Sequence, residues 1–220
     1  MTIERPILPF ATLDAAHPAQ PVFAPWWMTC DEFLPPDEMR EVMALIQRNA
    51  AAFKPSAVLT AGKGQVNPDV RRSRVLYEEP AVINLFEERL LACADTVFER
   101  LRMAPFLVRY LEVQITHTGD GEFFRIHNDN SSRRLSSRRI TFVYYLHQEP
   151  RAFSGGELRL HTSRTDGQRW QPTGDFVDIE PQQNRLVVFP SFLLHELRPV
   201  HVPSRQMAHG RLTVNGWFHG

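Results

Sequence analysis

Three residues, His127, Asp129 and His195, have the types and spacing needed to bind one metal ion. Residues at i and i+2 of an extended segment point to the same side, so His127 and Asp129 can contact one ion together. A distant strand must then supply His195. Two imidazoles and one carboxylate on one face of an octahedral ion leave the other face open, which suits Fe(II) and redox chemistry.

Two downstream segments distinguish this pattern from a chance polar turn. Residues 185–195 are predicted to form a buried strand that ends at His195. Residues 211–218 are predicted to form a strand with two different faces. One face carries Arg211, Thr213, Asn215 and Trp217, and the other carries Leu212, Val214 and Phe218.

An arginine that faces the interior requires an anion, because an unpaired buried charge costs several kcal/mol. A neighbouring Asp or Glu could supply it, and so could a bound dicarboxylate. 2-Oxoglutarate would fill two free positions on iron with its 1-carboxylate and keto oxygen, leaving one for dioxygen. Its distal carboxylate would suit the planar guanidinium of Arg211.

Six motifs follow one another in the C-terminal half of the chain. They are His127-x-Asp129, Thr141-Phe-Val-Tyr-Tyr-Leu146, Gly155-Gly-Glu-Leu158, Phe189-Pro-Ser191, His195-Glu-Leu-x-Pro-Val200 and Arg211-x-Thr-x-x-Gly-Trp217. In this order they resemble the Fe(II)/2-oxoglutarate-dependent dioxygenases, and within that family the prolyl-4-hydroxylase-like branch. The resemblance implies that His127, Asp129 and His195 are the catalytic iron ligands.

The resemblance also implies a set of co-substrate contacts. Arg211 would bind the distal carboxylate of 2-oxoglutarate, and Tyr145 would hydrogen-bond the same group. His117 falls where some prolyl hydroxylases have another co-substrate tyrosine. Thr213 and Asn215 share the strand face of Arg211 and are further candidates.

Arg205 competes with Arg211 for the anchor position, because it follows His195 at close to the family's usual gap. We favour Arg211, since its spacing to Trp217 matches the family's final strand and its alternation points it inward. We expect Arg205, in a Pro-Ser-Arg loop, to be exposed or to contact substrate.

The implied activity is oxidative decarboxylation of 2-oxoglutarate to succinate, coupled to hydroxylation of an unactivated C–H bond, with ascorbate as a candidate reductant. The branch favours a prolyl residue in a peptide or protein, and a free amino acid or small metabolite is the nearest alternative. Arg205 and Arg211 also resemble an arginine pair of AlkB-type nucleic-acid demethylases. A non-catalytic jelly-roll binding module is a further alternative.

The composition limits the partners and the location. The chain has 220 residues and a formal net charge of zero, which argues against a general nucleic-acid or membrane-surface binder. Cys30 and Cys93 are widely separated and form no metal or redox motif. The N-terminus lacks a secretory signal pattern, so we expect a cytoplasmic protein.

The element pattern predicts a mainly β fold with flanking α structure, in a single domain over residues 1–220. Residues 1–25 are proline-rich and should form an irregular arm. Residues 35–103 should supply two supporting helices, from Pro35 to near Phe53 and from Pro80 to about Leu101.

Residues 105–220 contain short extended runs separated by turn residues. The predicted strands are 108–116, 123–126, 140–147, 157–161, 176–179, 186–189 and 212–218. Such a series argues for a sandwich or jelly roll. The resemblance selects a double-stranded β-helix buttressed by the N-terminal helices.

Two polar segments have alternative interpretations. Residues 61–74 are either a solvated loop or a lid over the metal, whose Arg71, Arg72 or Arg74 contacts substrate. Residues 130–139 hold four arginines and are either solvated or positioned to attract an acidic or phosphate-bearing substrate.

Overall fold

Strands dominate the computed structural model, which describes residues 12–14, 17–60, 63–167 and 169–220. The α-helices of these residues are α1 (Pro36–Arg48), α2 (Pro80–Ala92) and α3 (Ala94–Leu101). The strands before α2 are β1 (Thr12–Asp14), β2 (His17–Phe23), β3 (Met28–Cys30), β4 (Lys54–Pro55), β5 (Val58–Thr60), β6 (Lys63–Gln65) and β7 (Arg74–Leu76). Those after α3 are β8 (Tyr110–Thr118), β9 (Phe124–His127), β10 (Arg138–Leu146), β11 (Ser154–Gly155), β12 (Leu158–Thr165), β13 (Trp170–Ile179), β14 (Leu186–Pro190), β15 (His195–Leu197), β16 (Val200–His201) and β17 (Arg211–His219).

Two antiparallel sheets form the jelly roll. The larger has the order β3-β14-β10-β17-β8-β7-β4, and the smaller has the order β1-β2-β12-β15-β9, with β13 also paired to β12. The pairs β11-β16 and β5-β6 form short separate ribbons. The predicted mainly β fold with flanking helices is therefore confirmed.

The two faces of the larger sheet have different roles. Residues Phe142 and Tyr144 of β10 and Val214 of β17 are fully buried in the hydrophobic core, together with Phe86 of α2. The ring of Phe86 lies 5.0 Å from that of Tyr144. The alternate residues of the same strands face the other way and line a cavity, so the helices support the sheet that carries the site.

The helices differ from the prediction at their ends. Helix α1 ends at Arg48, and residues 50–52 form a 3₁₀ turn instead of continuing to Phe53. The helix predicted from Pro80 to Leu101 is broken at Cys93, which lets α2 pack on β8 while α3 packs on β3 and β14. Within the described residues, no helix is both long and apolar enough to cross a membrane.

The predicted irregular arm is wrong for part of residues 1–25. Strands β1 and β2 extend the smaller sheet, and Phe23 of β2 is paired with Ser163 of β12. The Phe23 ring also lies 5.3 Å from that of Trp170. Proline excludes a helix here but tolerates a strand near a sheet edge. Residues 1–11 and 15–16 lie outside the described part of the chain.

The segment before His195 is also corrected. It was predicted as one strand ending at the histidine, but β14 ends at Pro190 and a turn follows. His195 then begins β15 in the other sheet. The turn is held by hydrogen bonds from Leu193 N to Pro190 O and from Asp129 N to Ser191 O. The chain therefore crosses between the sheets just before the candidate metal ligand.

Candidate metal and co-substrate site

The structure brings His127, Asp129 and His195 together between the two sheets. His127 ends β9 and His195 begins β15, and the two are direct partners in that antiparallel pair. Asp129 lies in the bend after β9. One ligand atom from each residue lies within 4.8 Å of the others. The three residues can therefore share one ion, as their spacing predicted.

Backbone carbonyls orient both imidazoles. The Nδ1 atoms of His127 and His195 lie 2.7 Å from Arg125 O and 2.9 Å from Leu193 O, respectively. A carbonyl can only accept, so each Nδ1 carries the proton and each Nε2 keeps a lone pair. Those Nε2 atoms lie 3.6 Å and 3.4 Å from the carboxylate oxygens of Asp129. Burial lowers the pKa of His195 to about 4, so this ring is neutral at pH 7 and able to bind a metal.

The carboxylate of Asp129 is buried and held by neighbouring hydroxyls. Thr141 Oγ1 donates to Asp129 Oδ2 at 2.7 Å, and the Oγ atom of Ser191 lies 3.0 Å from Thr141 Oγ1. Burial alone would raise the pKa of Asp129, but His195, His127 and Trp217 together hold it well below its usual value. Asp129 is therefore an anion with a fixed orientation.

A cavity of about 580 Å³, including its open mouth, contains the three residues. Its other lining residues come from both sheets and from the segment before β7. They are Arg71, Ser73, Gln114, Thr116, Phe124, Thr141, Val143, Leu158, Leu197, Arg211, Thr213, Asn215 and Trp217. The predicted alternation of the last strand is confirmed, because all four residues of its polar face line this cavity.

Arg211 and Tyr145 form a buried polar pair at the cavity. The guanidinium carbon of Arg211 lies 4.9 Å from the centre of the Tyr145 ring. Burial lowers the pKa of Arg211 and raises that of Tyr145. Among the described residues, neither Arg211 Nε nor the Tyr145 hydroxyl has a hydrogen-bond partner of good geometry. A buried cation beside an unsatisfied hydroxyl fits an incoming carboxylate.

Gly156 makes room for the Arg211 side chain. A Cβ at this position would lie 2.8 Å from Arg211 Cδ, and the φ angle of +75° already favours glycine. Thr213 and Asn215 follow Arg211 on the same face of β17. Asn215 Oδ1 accepts from Thr116 Oγ1 at 2.8 Å and from Thr213 Oγ1 at 3.3 Å. Both predicted residues therefore line the cavity, with the Asn215 carbonyl satisfied by its neighbours.

The structure does not place His117 at the cavity, so its predicted role as a co-substrate contact is corrected. Gln114 and Thr116 of β8 line the cavity, and strand alternation turns His117 to the opposite face. There His117 Nε2 lies 3.0 Å from Met207 O. His117 is one residue further along β8 than Thr116, so its side chain lies on the face of the strand that is turned away from the cavity.

Arg205 differs sharply from Arg211 in burial. The Arg205 side chain is 83% exposed and lies 3.4 Å from Asp120, whereas Arg211 is 4% exposed. The expectation that Arg205 is exposed is confirmed. Arg211 is therefore the arginine that faces the interior, which is the geometry that an anchor requires.

An outer cleft of about 1090 Å³, including open space, adjoins the metal residues. Its lining includes Ala57, Val58, Val70, Arg71 and Tyr77 from one part of the chain, and Ser131, Ser132, Leu135 and Arg138 from another. Parts of the two polar segments, residues 61–74 and 130–139, thus line the cleft. The lining role of Phe124, Gln114 and Thr116 was missed, although the alternation of β8 offered a signal for the last two.

The family comparison agrees with this geometry. A sequence profile described as the 2OG-Fe(II) oxygenase superfamily, where 2OG is 2-oxoglutarate, matches residues 113–219. The chain contains a 2OG-Fe(II) oxygenase domain. The matched residues include all three candidate metal ligands and Arg211.

Two curated relatives of this oxygenase domain are hydroxylases by name. An uncharacterised PKHD-type hydroxylase from Synechocystis is 37% identical over 84% of this chain and 60% of its own length. A prolyl 3-hydroxylase from Xenopus laevis is 31% identical over 62% of this chain and 26% of its own length. The chain thus spans less than two thirds of either relative.

Solved structures share the oxygenase fold. A prolyl-4-hydroxylase from Pseudomonas putida superimposes with a TM-score of 0.59 at 24% identity, covering 89% of this chain and 93% of that chain. A prolyl hydroxylase from Trichoplax adhaerens, in complex with a hypoxia-inducible factor peptide, gives 0.63 at 21% identity, covering 88% and 83%. Likeness at this level supports the jelly-roll assignment.

Proposed function

We propose that this oxygenase domain uses Fe(II), 2-oxoglutarate and dioxygen to hydroxylate a prolyl residue in a peptide or protein. The observation that carries the proposal is the convergence of two imidazole Nε2 atoms and one carboxylate in a cavity that also holds a buried arginine. Both curated relatives are named as hydroxylases, and the name of one of them, a prolyl 3-hydroxylase, supports proline as the target.

The donor set suits Fe(II) and 2-oxoglutarate. His127, Asp129 and His195 would hold Fe(II), because neutral imidazoles and a carboxylate on one side leave exchangeable positions on the other. Arg211 and Tyr145 would hold the distal carboxylate of 2-oxoglutarate, since both have unsatisfied buried polar atoms. When bound, iron and 2-oxoglutarate supply the oxidising chemistry with dioxygen.

The protein orients the reactants and limits access of water. Thr141 fixes the orientation of Asp129, and the backbone carbonyls keep both Nε2 lone pairs free. The apolar side chains of Val143, Leu158 and Leu197 line the inner cavity. Such a wall favours a chain of methylene groups between the two carboxylates of the co-substrate, and it excludes water that would compete for the open positions.

The size and lining of the outer cleft support the proposal that the substrate is a peptide. The cleft is larger than the inner cavity, and its lining includes residues that precede α2 and residues that follow β9. Trp217 and Phe124 border both spaces, so they could contact a ring held between the metal and the cleft. Aromatic faces pack well against the apolar edge of a pyrrolidine ring.

Succinate formation tests the proposal. The protein loaded with Fe(II) is incubated with 2-oxoglutarate and with proline-containing peptides, free proline or methylated oligonucleotides in separate reactions. We expect a proline peptide to stimulate succinate release and to gain the mass of one oxygen atom. Asp129→Ala should abolish both signals while the circular dichroism spectrum stays unchanged.

Stimulation by free proline alone would mean that the substrate is a small molecule. Stimulation by methylated oligonucleotides alone would favour a demethylase. Full turnover by Asp129→Ala would show that Asp129 is not a metal ligand.

A further inference from the structure

Arg71 is a cationic side chain at the junction of the inner cavity and the outer cleft. It lines both spaces, whereas Arg211 lines only the inner one. Arg71 Nε donates to Ser73 Oγ at 2.8 Å, and its guanidinium carbon lies 4.8 Å from the centre of the Phe124 ring. Within the described residues, no carboxylate lies within salt-bridge distance of Arg71.

Backbone hydrogen bonds fix this side chain relative to the metal residues. Arg71 forms a β-bridge with Phe124, and Arg72 N donates to Phe123 O at 2.8 Å. Arg125 N donates to Val70 O at 2.9 Å. The Phe124 ring in turn stacks on that of His127 at 3.6 Å. Residues 70–72 thus extend the pairing of β9.

Ser73 accepts a hydrogen bond from the guanidinium of Arg71. Its hydroxyl is buried and lies 2.7 Å from Ser56 Oγ, so the acceptor of Arg71 Nε is itself positioned. Only the Nε–H of Arg71 has a hydrogen-bond acceptor among the described residues. The remaining N–H groups of the planar fork are therefore available to a ligand in the cleft.

Neither of the carboxylates that line the cleft, Glu112 and Asp129, forms a salt bridge with Arg71. Glu112 forms a bidentate pair with Arg138 and lies 3.1 Å from His219 Nε2. Asp129 would be neutralised by the bound ion. Burial lowers the pKa of Arg71 to about 10, opposed in part by Tyr77 and Asp129, so the group stays cationic at pH 7. A partly desolvated cation of this kind attracts an anion.

We propose that Arg71 binds a carboxylate of the substrate, close to the carbon that is oxidised. The inference rests on the proposed function, and it narrows the peptide to one with an Asp or Glu side chain near the target proline. The fork of Arg71 would accept that carboxylate in a bidentate pair, while Phe124 packs against the other face of the guanidinium. This interaction would select acidic peptides over neutral ones.

Peptide binding without turnover tests the selection. The protein is loaded with Mn(II) and 2-oxoglutarate without oxygen. Its intrinsic tryptophan fluorescence is followed during titration with two peptides that differ only in Glu or Gln beside the proline. Wild type should bind the Glu peptide about tenfold more tightly or better. Arg71→Gln should lose this preference, and Arg71→Lys should keep part of it.

Arg72→Gln is the matched control. It lies on the same segment, but its side chain is exposed and donates to Pro68 O. This variant should keep the preference for the Glu peptide. The affinity of Arg71→Gln for 2-oxoglutarate should match that of wild type, which also shows that the variant folds. A selective loss of 2-oxoglutarate binding would instead assign Arg71 to the co-substrate.

The result separates this inference from the proposed function. If proline peptides are hydroxylated but Glu and Gln peptides bind equally to wild type, the role of Arg71 is wrong and the function stands. If no proline peptide is hydroxylated but Glu peptides or free proline bind in a manner that depends on Arg71, Arg71 binds a carboxylate as proposed. The proposed hydroxylation of peptides is then wrong. Absence of any charge-dependent binding overturns the inference.

Discussion

The two oxygens of Asp129 have different surroundings. Oδ2 accepts from Thr141 and lies near His195, whereas Oδ1 faces His127. A hydroxyl that fixes a carboxylate in this way decides which oxygen is free to bind the ion and at what angle. Thr141 belongs to a family motif, so its presence was visible in the sequence, but its contact with Asp129 became known only from the structure.

Thr141→Val should weaken metal binding with little change of shape. Valine fills the same space but cannot donate to Asp129 Oδ2, so we expect metal affinity to fall roughly 10- to 100-fold. Calorimetric titration of the apoprotein with Mn(II) measures this change. Thr141→Ser keeps the hydroxyl and should bind Mn(II) nearly as well as wild type. Equal affinity in all three proteins would show that the hydroxyl does not position the ligand.

Arg211→Ala should weaken 2-oxoglutarate binding by about two orders of magnitude, because a charge-assisted pair contributes roughly 3 kcal/mol. Arg205→Ala should have a small effect, since this side chain is 83% exposed. Anaerobic titration of the Fe(II) protein, followed by its visible absorption, measures both affinities. A larger loss in the Arg205 variant would reverse the assignment of the anchor.

Elements with a clear period could be predicted from the sequence. The two-residue alternation of β17 separated Arg211 and Thr213 from Val214 and Phe218, and the structure places those pairs on opposite faces. The turn between β14 and β15 could not be predicted, because residues 186–194 are mostly apolar and show no change of period. The crossing between sheets is decided by long-range pairing that local pattern does not encode.

The same limit explains two other errors. His117 was assigned from its place in the family resemblance, but the face of a strand changes with every residue, so an offset of one position turns a side chain away from a site. The strands of the N-terminal segment were missed because their prolines disfavour regular structure, while pairing with β12 occurs far away in sequence. The single-domain and cytoplasmic assignments stay predictions.

Asn184 joins α1 to the larger sheet, and its replacement should be costly. Its side chain accepts from Leu34 N and the Tyr144 hydroxyl and donates to Leu34 O, and its φ angle is +59°. Asn184→Ala removes these bonds and places Cβ in an unfavourable backbone region, so we expect a loss of about 3 kcal/mol in the free energy of unfolding. Urea denaturation measures the loss.

Asn184→Gly separates the two causes. Glycine accepts the left-handed conformation but makes no side-chain hydrogen bonds, so this variant should be about 1 kcal/mol more stable than Asn184→Ala. Equal stability of the two variants would mean that the hydrogen bonds account for the whole effect, and wild-type stability in both would refute the role of Asn184 as a link.

At the scale of the whole molecule, metal and co-substrate should stabilise the fold. A ligand present at 100 times its dissociation constant adds about 2.7 kcal/mol if it binds only the native state. For a chain of this size that corresponds to a rise of roughly 5–10 °C in the melting temperature. Thermal unfolding with Mn(II) and 2-oxoglutarate, before and after addition of a chelator, measures the effect.

Asp129→Ala provides the comparison for this experiment. Because it lacks one ligand, its melting temperature should respond little to Mn(II) or to the chelator. A full response in this variant would mean that the stabilising ion is bound elsewhere.

The direct pairing of His127 with His195 across β9 and β15 has a consequence for biosynthesis. The two imidazoles become neighbours, with ring centroids 4.2 Å apart, only after β9 and β15 have paired. A nascent polypeptide that has not yet emerged past His195 therefore lacks one of the three candidate metal ligands. Loading of the metal should therefore be a late event, and a product that is truncated before His195 should not bind the ion at this site.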